Sequence, residues 1–272
     1  MYKVTPNSYF SALDLTGPDA SKTLQGQLTN DVVNQRDQSG MKGLLCNIKG
    51  RVELVVRVYK HSAEHLTLVV PRANTDLVKR RLAPYMAFSK SQLNECDLSD
   101  YSLLFGPATA DAKETLAGLS FDGLALLSPQ ELLNTTVPLT HSSIEDFHTY
   151  RVKRGMLELD PEQSGLYTPQ ALSLDRLGYV SFKKGCYMGQ EIIARLHYKG
   201  QSKYQLAVLQ CLSAVANETK VTSPAGATLG TIVDSAANAS GHYLASIRLA
   251  EDATAEYFVN DHPATLLQLF GN

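Results

Sequence analysis

The chain changes texture near Gly200, and that change restricts the possible folds more than any other feature. Before it, apolar runs of strand length alternate with segments whose apolar residues recur at helical spacing. After it, Lys203–Cys211, Gly230–Val233, His242–Leu249 and Ala264–Phe270 read as short strands separated by Gly, Ser, Asn and Pro turns, with no convincing helix. Such a run predicts a small closed or nearly closed β unit. The expected architecture is therefore an α+β body over 1–200 followed by a β-barrel over 201–272, with the boundary at Gly200–Ser202.

Within the body, Ala12–Thr16 predicts a strand, Gly17-Pro18 a turn, and Pro18–Gly26 a helix opened by proline and Asp19. Arg51–Tyr59 and His65–Val70 are Val- and Leu-rich strand candidates joined by a turn at His61–Glu64. Pro71 opens a helix to about Ala83, striped by Leu77, Val78, Leu82 and Ala83. Tyr101–Phe105 (strand), Asp111–Leu119 (helix) and Gly123–Leu127 (strand) follow, so 51–140 reads as a second α+β lobe. Ser142 and Glu145 then have capping-box spacing ahead of a helix that runs to Arg154, and Gly155 stands where a left-handed cap belongs.

No stretch approaches the roughly 20 apolar residues that span a bilayer, and Met1–Phe10 lacks the apolar region of a signal peptide. The expectation is a cytoplasmic protein. Cys46, Cys96, Cys186 and Cys211 lie 50, 90 and 25 positions apart, which suits neither a zinc site nor a disulfide framework. The formal net charge of −2 hides an asymmetry. From Arg176 to Lys203 six basic side chains face one acid, Glu191, whereas beyond Leu249 there are four acids and no Lys or Arg. One face is thereby suited to an anion, or is simply a solvated basic surface.

The densest local signal is Ser181–Arg195, SFKKGCYMGQEIIAR. Glycines bracket Cys186, and good helix formers run from Gln190 to about Tyr198. A thiol just ahead of a helix, beside Lys183 and Lys184, is placed where partial thiolate character is expected. The competing reading is a buried cysteine in a glycine turn. His148 and His197 are the available bases for a thiol hydrolase, but neither has a motif around it.

Lys183-Lys184-Gly185-Cys186-Tyr187-x-Gly189-Gln190-Glu191, followed by Ala194-Arg195 and Lys199-Gly200, resembles the signature of the YgfZ family. These are folate-binding relatives of the glycine-cleavage aminomethyltransferase, linked to iron–sulfur cluster assembly and tRNA modification. Gln25–Val32, Cys46–Arg51, Phe88–Lys90 and Leu166–Ala171 resemble further family blocks in the same order. The resemblance implies an α+β, aminomethyltransferase-like ring of two lobes closed by a C-terminal β-barrel. It also implies a monomer with tetrahydrofolate or a derivative in a central channel, Cys186 as the essential thiol, and no resident metal. Folate contacts fall on Phe10, Phe147, Asp31, Lys184, Tyr187, Gln190, Glu191 and Arg195. The first two stand where some relatives carry pterin-lining tryptophans; this chain has no Trp, and the plainer reading of both is ordinary core, above all for Phe147 on its helix face.

Several of these residues have plainer readings. Asp31 suits a turn cap, Glu191 a helix N-terminus, and Arg151, Lys153 and Arg154 the last turn of a helix. Tyr167, Gln170, Lys49 and Arg51 are further pocket or anion-site candidates. Three functions follow. The first is a folate-binding accessory factor for iron–sulfur cluster assembly or repair and tRNA modification. It acts through Cys186, either as a transient cluster or metal ligand or as acceptor of a one-carbon unit from folate, in an accessory rather than a catalytic role. It needs iron–sulfur client or assembly proteins as partners, because a cluster normally takes about four ligands. The second is a folate-dependent aminomethyltransferase, and the third an RNA-binding module built on the basic segment.

Overall fold

The computed structural model describes residues 1–106, 118–121, 123–200, 202–236, 241–248 and 256–271. The chain begins with β1 (Tyr2–Pro6), β2 (Phe10–Thr16) and α1 (Ala20–Gln25), then β3 (Ser39–Cys46), β4 (Val52–Ser62) and β5 (His65–Pro71). It continues through α2 (Thr75–Met86), β6 (Gln92–Cys96), β7 (Ser102–Phe105), β8 (Leu119–Phe121) and β9 (Leu124–Leu127). Next come α3 (Pro129–Asn134), β10 (Leu139–His141), α4 (Ile144–Lys153) and α5 (Gln190–Lys199). The remainder is β11 (Tyr204–Gln210), β12 (Lys220–Thr222), β13 (Thr228–Ser235), β14 (His242–Arg248), β15 (Tyr257–Val259) and β16 (His262–Leu269).

Two five-stranded sheets and a barrel result. One sheet runs β3-β4-β5-β2-β6, the other β10-β1-β7-β9-β8, and the barrel closes as β11-β14-β13-β12-β15-β16. Segment 51–140 divides between the two sheets, and β1 lies between β7 and β10. The expected helix over Asp111–Leu119 falls almost wholly outside the described residues.

β4 explains how this frame builds a site. Its sequence VELVVRVYKHS is β-branched and buried on both faces, as a central strand covered on each side must be. Because side chains alternate along a strand, Leu54, Val56 and Val58 meet α1 and α2 through Leu24, Val78 and Leu82. Val55 and Tyr59 point the other way, into clusters shared with the second sheet and α4. Arg57 falls between them on that inward face and is buried with only 4% exposure.

The barrel docks by the same logic. Ala207 and Leu209 of β11 fill its interior, while Leu206 and Val208 face the body. β13 is interrupted by a bulge between Ile232 and Asp234. Ile232 points into the barrel and Val233 to the body; the extra residue lets Asp234 follow Val233 outward and reach Arg151.

Helix α4 is capped one residue later than the spacing predicts. Ser143, not Ser142, is the N-cap and accepts from the Asp146 N–H at 3.2 Å, while the Ser142 hydroxyl donates to the Asp146 carboxylate. Gly155 takes the expected left-handed conformation, φ 65°.

Candidate functional site

An open cavity of about 260 Å³ lies between the two sheets. Its walls are Gly40, Met41 and Lys42 of β3, Arg57 of β4, Phe121 of β8, Asn30, residues 154–156 and residues 177–179. The Lys42 ammonium sits over the Tyr179 ring, 4.7 Å from its centroid. Asn30 ties two walls together, its amide donating to the carbonyls of Lys42 (2.8 Å) and Gly178 (3.0 Å). Three cations (Lys42, Arg57, Arg154) and the side chains of Phe121, Met156, Leu177 and Tyr179 give the cavity both an anion-binding and a flat apolar character.

Behind Arg57 is a buried charge network. Arg57 pairs with Glu158, each side chain 4% exposed. Arg57 Nη1 and the Glu158 carboxylate hold each other as an ion pair and have no further hydrogen-bond partner among the described residues. Burial pushes the Glu158 carboxyl upward, against the pull of Arg57 and Arg151. Arg151 of α4 grips Asp234 through both terminal nitrogens, with Nη2 at 2.9 Å from Oδ1, and the Glu158 N–H donates to Asp234 Oδ2 at 2.8 Å. Arg151 Nε donates to His148 Nδ1 at 3.0 Å, and burial together with the Arg151 charge lowers His148 to about 4.

The segment that closes the cavity at 177–179 continues into the cysteine loop. Ser181 N–H donates to the Thr29 carbonyl at 3.0 Å, and the Thr29 hydroxyl donates to the Tyr179 carbonyl at 2.7 Å. Lys184 turns inward, and its ammonium donates to the carbonyls of Gln25, Leu28 (2.7 Å) and Asn30 (3.2 Å). Burial lowers its pKa to about 8, opposed by Asp31. Met188 N–H reaches the Gly26 carbonyl at 3.2 Å, while its sulfur lies 3.0 Å from Arg81 Nη2. Gly189, at φ 79°, is the N-cap of α5. A Cβ there would stand 2.4 Å from the Asn47 carbonyl oxygen, so the loop can press against turn 47–50 only because this residue is glycine. The result is a rigidly rooted loop whose tip, Gly185-Cys186, is exposed.

Phe10 and Phe147 do not line the cavity. Both are fully buried and pack edge to face at 5.8 Å, with Phe105 on the other side of Phe147 at 5.5 Å. Phe10 acts one layer back, beneath the Arg57 guanidinium at 5.0 Å. Lys184 and Tyr187 are likewise buried, and the Tyr187 hydroxyl has no partner among the described residues. Asp31 is a turn acceptor, taking the Asn34 amide at 2.9 Å and Gln25 at 3.0 Å. Its pKa is lowered first by the Asn34 hydrogen bond. Gln190 receives the Tyr187 N–H at 3.3 Å, and Glu191 and Arg195 lie exposed on α5. Neither histidine pairs with Cys186. His148 is held by Arg151, and His197 faces Asp175 at 3.5 Å and stacks on Phe182.

Tyr167 bonds Glu218, Gln170 bonds the Ile193 carbonyl, and Arg51 bonds the Leu166 carbonyl. Arg151 is a buried ion-pair partner rather than a helix-end cation on the surface. Lys42, Arg57, Glu158 and Tyr179 escaped the sequence reading. Arg57 and Glu158 carry a usable signal, each a single charge flanked by apolar residues (VVRVY, MLEL), where a charge is buried only with a partner.

No family model matches the chain. Among curated proteins it is 30% identical to a tRNA-modifying protein YgfZ of Klebsiella pneumoniae, covering 72% of this chain and 67% of that one. It is 28% identical to a namesake from Colwellia psychrerythraea, covering 74% and 69%, and 27% identical to one from Vibrio atlanticus, covering 78% and 70%. Among solved structures, the glycine cleavage system aminomethyltransferase T of Bartonella henselae superposes with a TM-score of 0.72 at 14% identity, covering 98% of this chain and 84% of that one. The fold is thus that of the aminomethyltransferase T-protein. Aligned over about three quarters of its residues at 27–30% identity, the chain belongs to the YgfZ family.

Proposed function

We propose that this protein is a folate-binding accessory factor for iron–sulfur cluster assembly or repair and for tRNA modification, working through Cys186. The observation that carries the proposal is continuity: the segment that forms one wall of the cavity also presents Cys186, and Lys184 and Gly189 fix the turn between them. A flat pterin suits the face made by Tyr179 and Phe121, with its polar edge toward Arg57. Lys42 and Arg154 suit the carboxylates of a glutamate tail. A bound reduced folate supplies or accepts a one-carbon unit. The protein's own part is to hold it, keep one face dry, and offer an accessible thiol.

One thiol is too few for a cluster, which takes about four ligands, so iron–sulfur client or assembly proteins complete the set. In this reading the protein works as a cytoplasmic monomer. Among the described residues no helix is long and apolar enough to cross a membrane. Aminomethyl transfer remains a second reading in fold only.

Anaerobic calorimetry with tetrahydrofolate and its polyglutamate tests the ligand. Saturable binding is expected, with Lys42→Gln/Arg154→Gln weakening the polyglutamate more than the monoglutamate; no binding of either form overturns the proposal. Cys186→Ser, an exposed position, should fold and bind folate normally yet fail to restore tRNA modification in cells lacking the protein. Full restoration would refute the thiol's role.

A further inference from the structure

A basic, aromatic-bearing face runs from the cysteine loop along α5, outside the cavity. Lys49, Lys183, Arg195, Lys199 and Lys203 are all exposed there. No ion pair among the described residues involves any of them. Surface cations on a solvated helix usually alternate with acids; here the one exposed acid of α5 is Glu191, at its first turn. Turn 47–50 packs against the start of the helix, where a Cβ on Gly50 would stand 3.0 Å from Ile192 Cβ. Lys49 therefore extends the stripe past the N-terminal end, and Lys203 extends it past the other. A ten-residue helix is about 15 Å long, so the stripe outruns any single small anion.

Aromatic rings sit on the same helix and on the loop packed beside it. Phe182 and His197 are stacked at 3.7 Å with their planes 16° apart. Tyr198 stands edge-on to both, at 5.9 and 5.0 Å, and is itself 69% exposed. Phe182 packs on the core, so the stack is anchored. A run of unpaired cations beside exposed, immobilised rings matches a nucleic-acid strand, whose phosphates need the charge and whose unpaired bases need a π surface. An acidic protein would use the charge but gives the rings no comparable partner.

We propose that this face binds tRNA directly, the lysines and Arg195 contacting phosphates and Tyr198 with the Phe182–His197 pair stacking an unpaired base, so that RNA is held beside Cys186. The inference rests on the reading that the protein serves tRNA modification.

Fluorescence anisotropy of the full chain with an unmodified, end-labelled tRNA, titrated between 50 and 200 mM KCl, tests it. Lys199→Gln/Lys203→Gln should weaken binding and make the log K against log salt slope shallower by about 1.4–1.8, two phosphate contacts at roughly 0.7–0.9 each. Tyr198→Ala should weaken binding about tenfold with the slope unchanged, the mark of lost stacking. Absence of tRNA binding at 50 mM KCl, or an unaltered slope in the double variant, would overturn the proposal. So would poly-glutamate displacing tRNA at equal charge concentration, which points to an acidic protein partner. Folate calorimetry on the same variants separates the outcomes: intact folate binding without tRNA binding sinks this inference and leaves the cavity reading standing.

Discussion

Position 189 has no room for a side chain. Its φ of 79° and the 2.4 Å approach of a built Cβ to the Asn47 carbonyl act together, so Gly189→Ala is expected to cost about 3 kcal/mol, read as a lower urea midpoint. His148 gives a pH signature. It must be neutral to accept from Arg151 Nε, and its folded pKa of about 4 lies below the ordinary 6.5. Between those values the unfolded chain binds more protons, so its stabilisation is complete above pH 6.5 and declines toward pH 4. As the ring is only half-buried, the loss is about 1–2 kcal/mol. Tyr9, Arg151, Asp234, Glu145 and Glu158 surround it, and Glu158, pushed upward by burial, acts in the opposite sense. The measurable quantity is therefore the difference between wild type and His148→Gln, whose midpoints should converge as the pH falls from 7 to 4.5. The sequence made the Cys186 loop and its glycines legible because their constraints are local. The burial of Phe147 was legible from its place on a helix face, whereas the inward turn of Lys184 and the place of Phe10 beneath Arg57 were hidden, because both depend on residues far away in the chain.

At the scale of elements, the bulge in β13 and the last turn of α4 form one joint. The Arg151–Asp234 pair crosses from body to barrel with both side chains almost fully buried, 4% and 6% exposed. Leaving Arg151 without its carboxylate in Asp234→Leu should cost about 3–5 kcal/mol, whereas Arg151→Met/Asp234→Leu should recover most of it. Calorimetric unfolding checks both, and a single variant as stable as wild type would refute the joint. Strands such as β4 and β5 were legible because they are continuously apolar. β3 (SGMKGLLC) and β6 (QLNEC) were not: glycines and polar residues dilute their pattern, and both lie on sheet edges where one neighbour suffices. The capping of α4 shifted by one because Ser142 and Ser143 both precede suitable acceptors, a choice settled by β10 and the turn after it rather than by spacing.

For the whole molecule, the barrel was legible from its texture and the two-lobed body from its family resemblance, but the division of strands between sheets was not. β1 pairs with β10 across more than 130 residues, Lys3 opposite Thr140, and no local pattern announces that. One contact gives this long-range assembly a consequence in the cell. Gly155, a wall of the cavity, rests on the Phe270 ring, which a Cβ at 155 would meet at 2.8 Å. That wall is therefore braced from behind only when the residue after the last barrel strand has docked, long after the walls themselves have been synthesised. A molecule that fills the cavity binds only the finished fold and at a hundred times its Kd adds about 2.7 kcal/mol to stability. Cells depleted of that molecule should clear the protein faster, so its half-life in a pulse-chase becomes a readout of that molecule's supply, with the residue after the barrel's last strand serving as the latch.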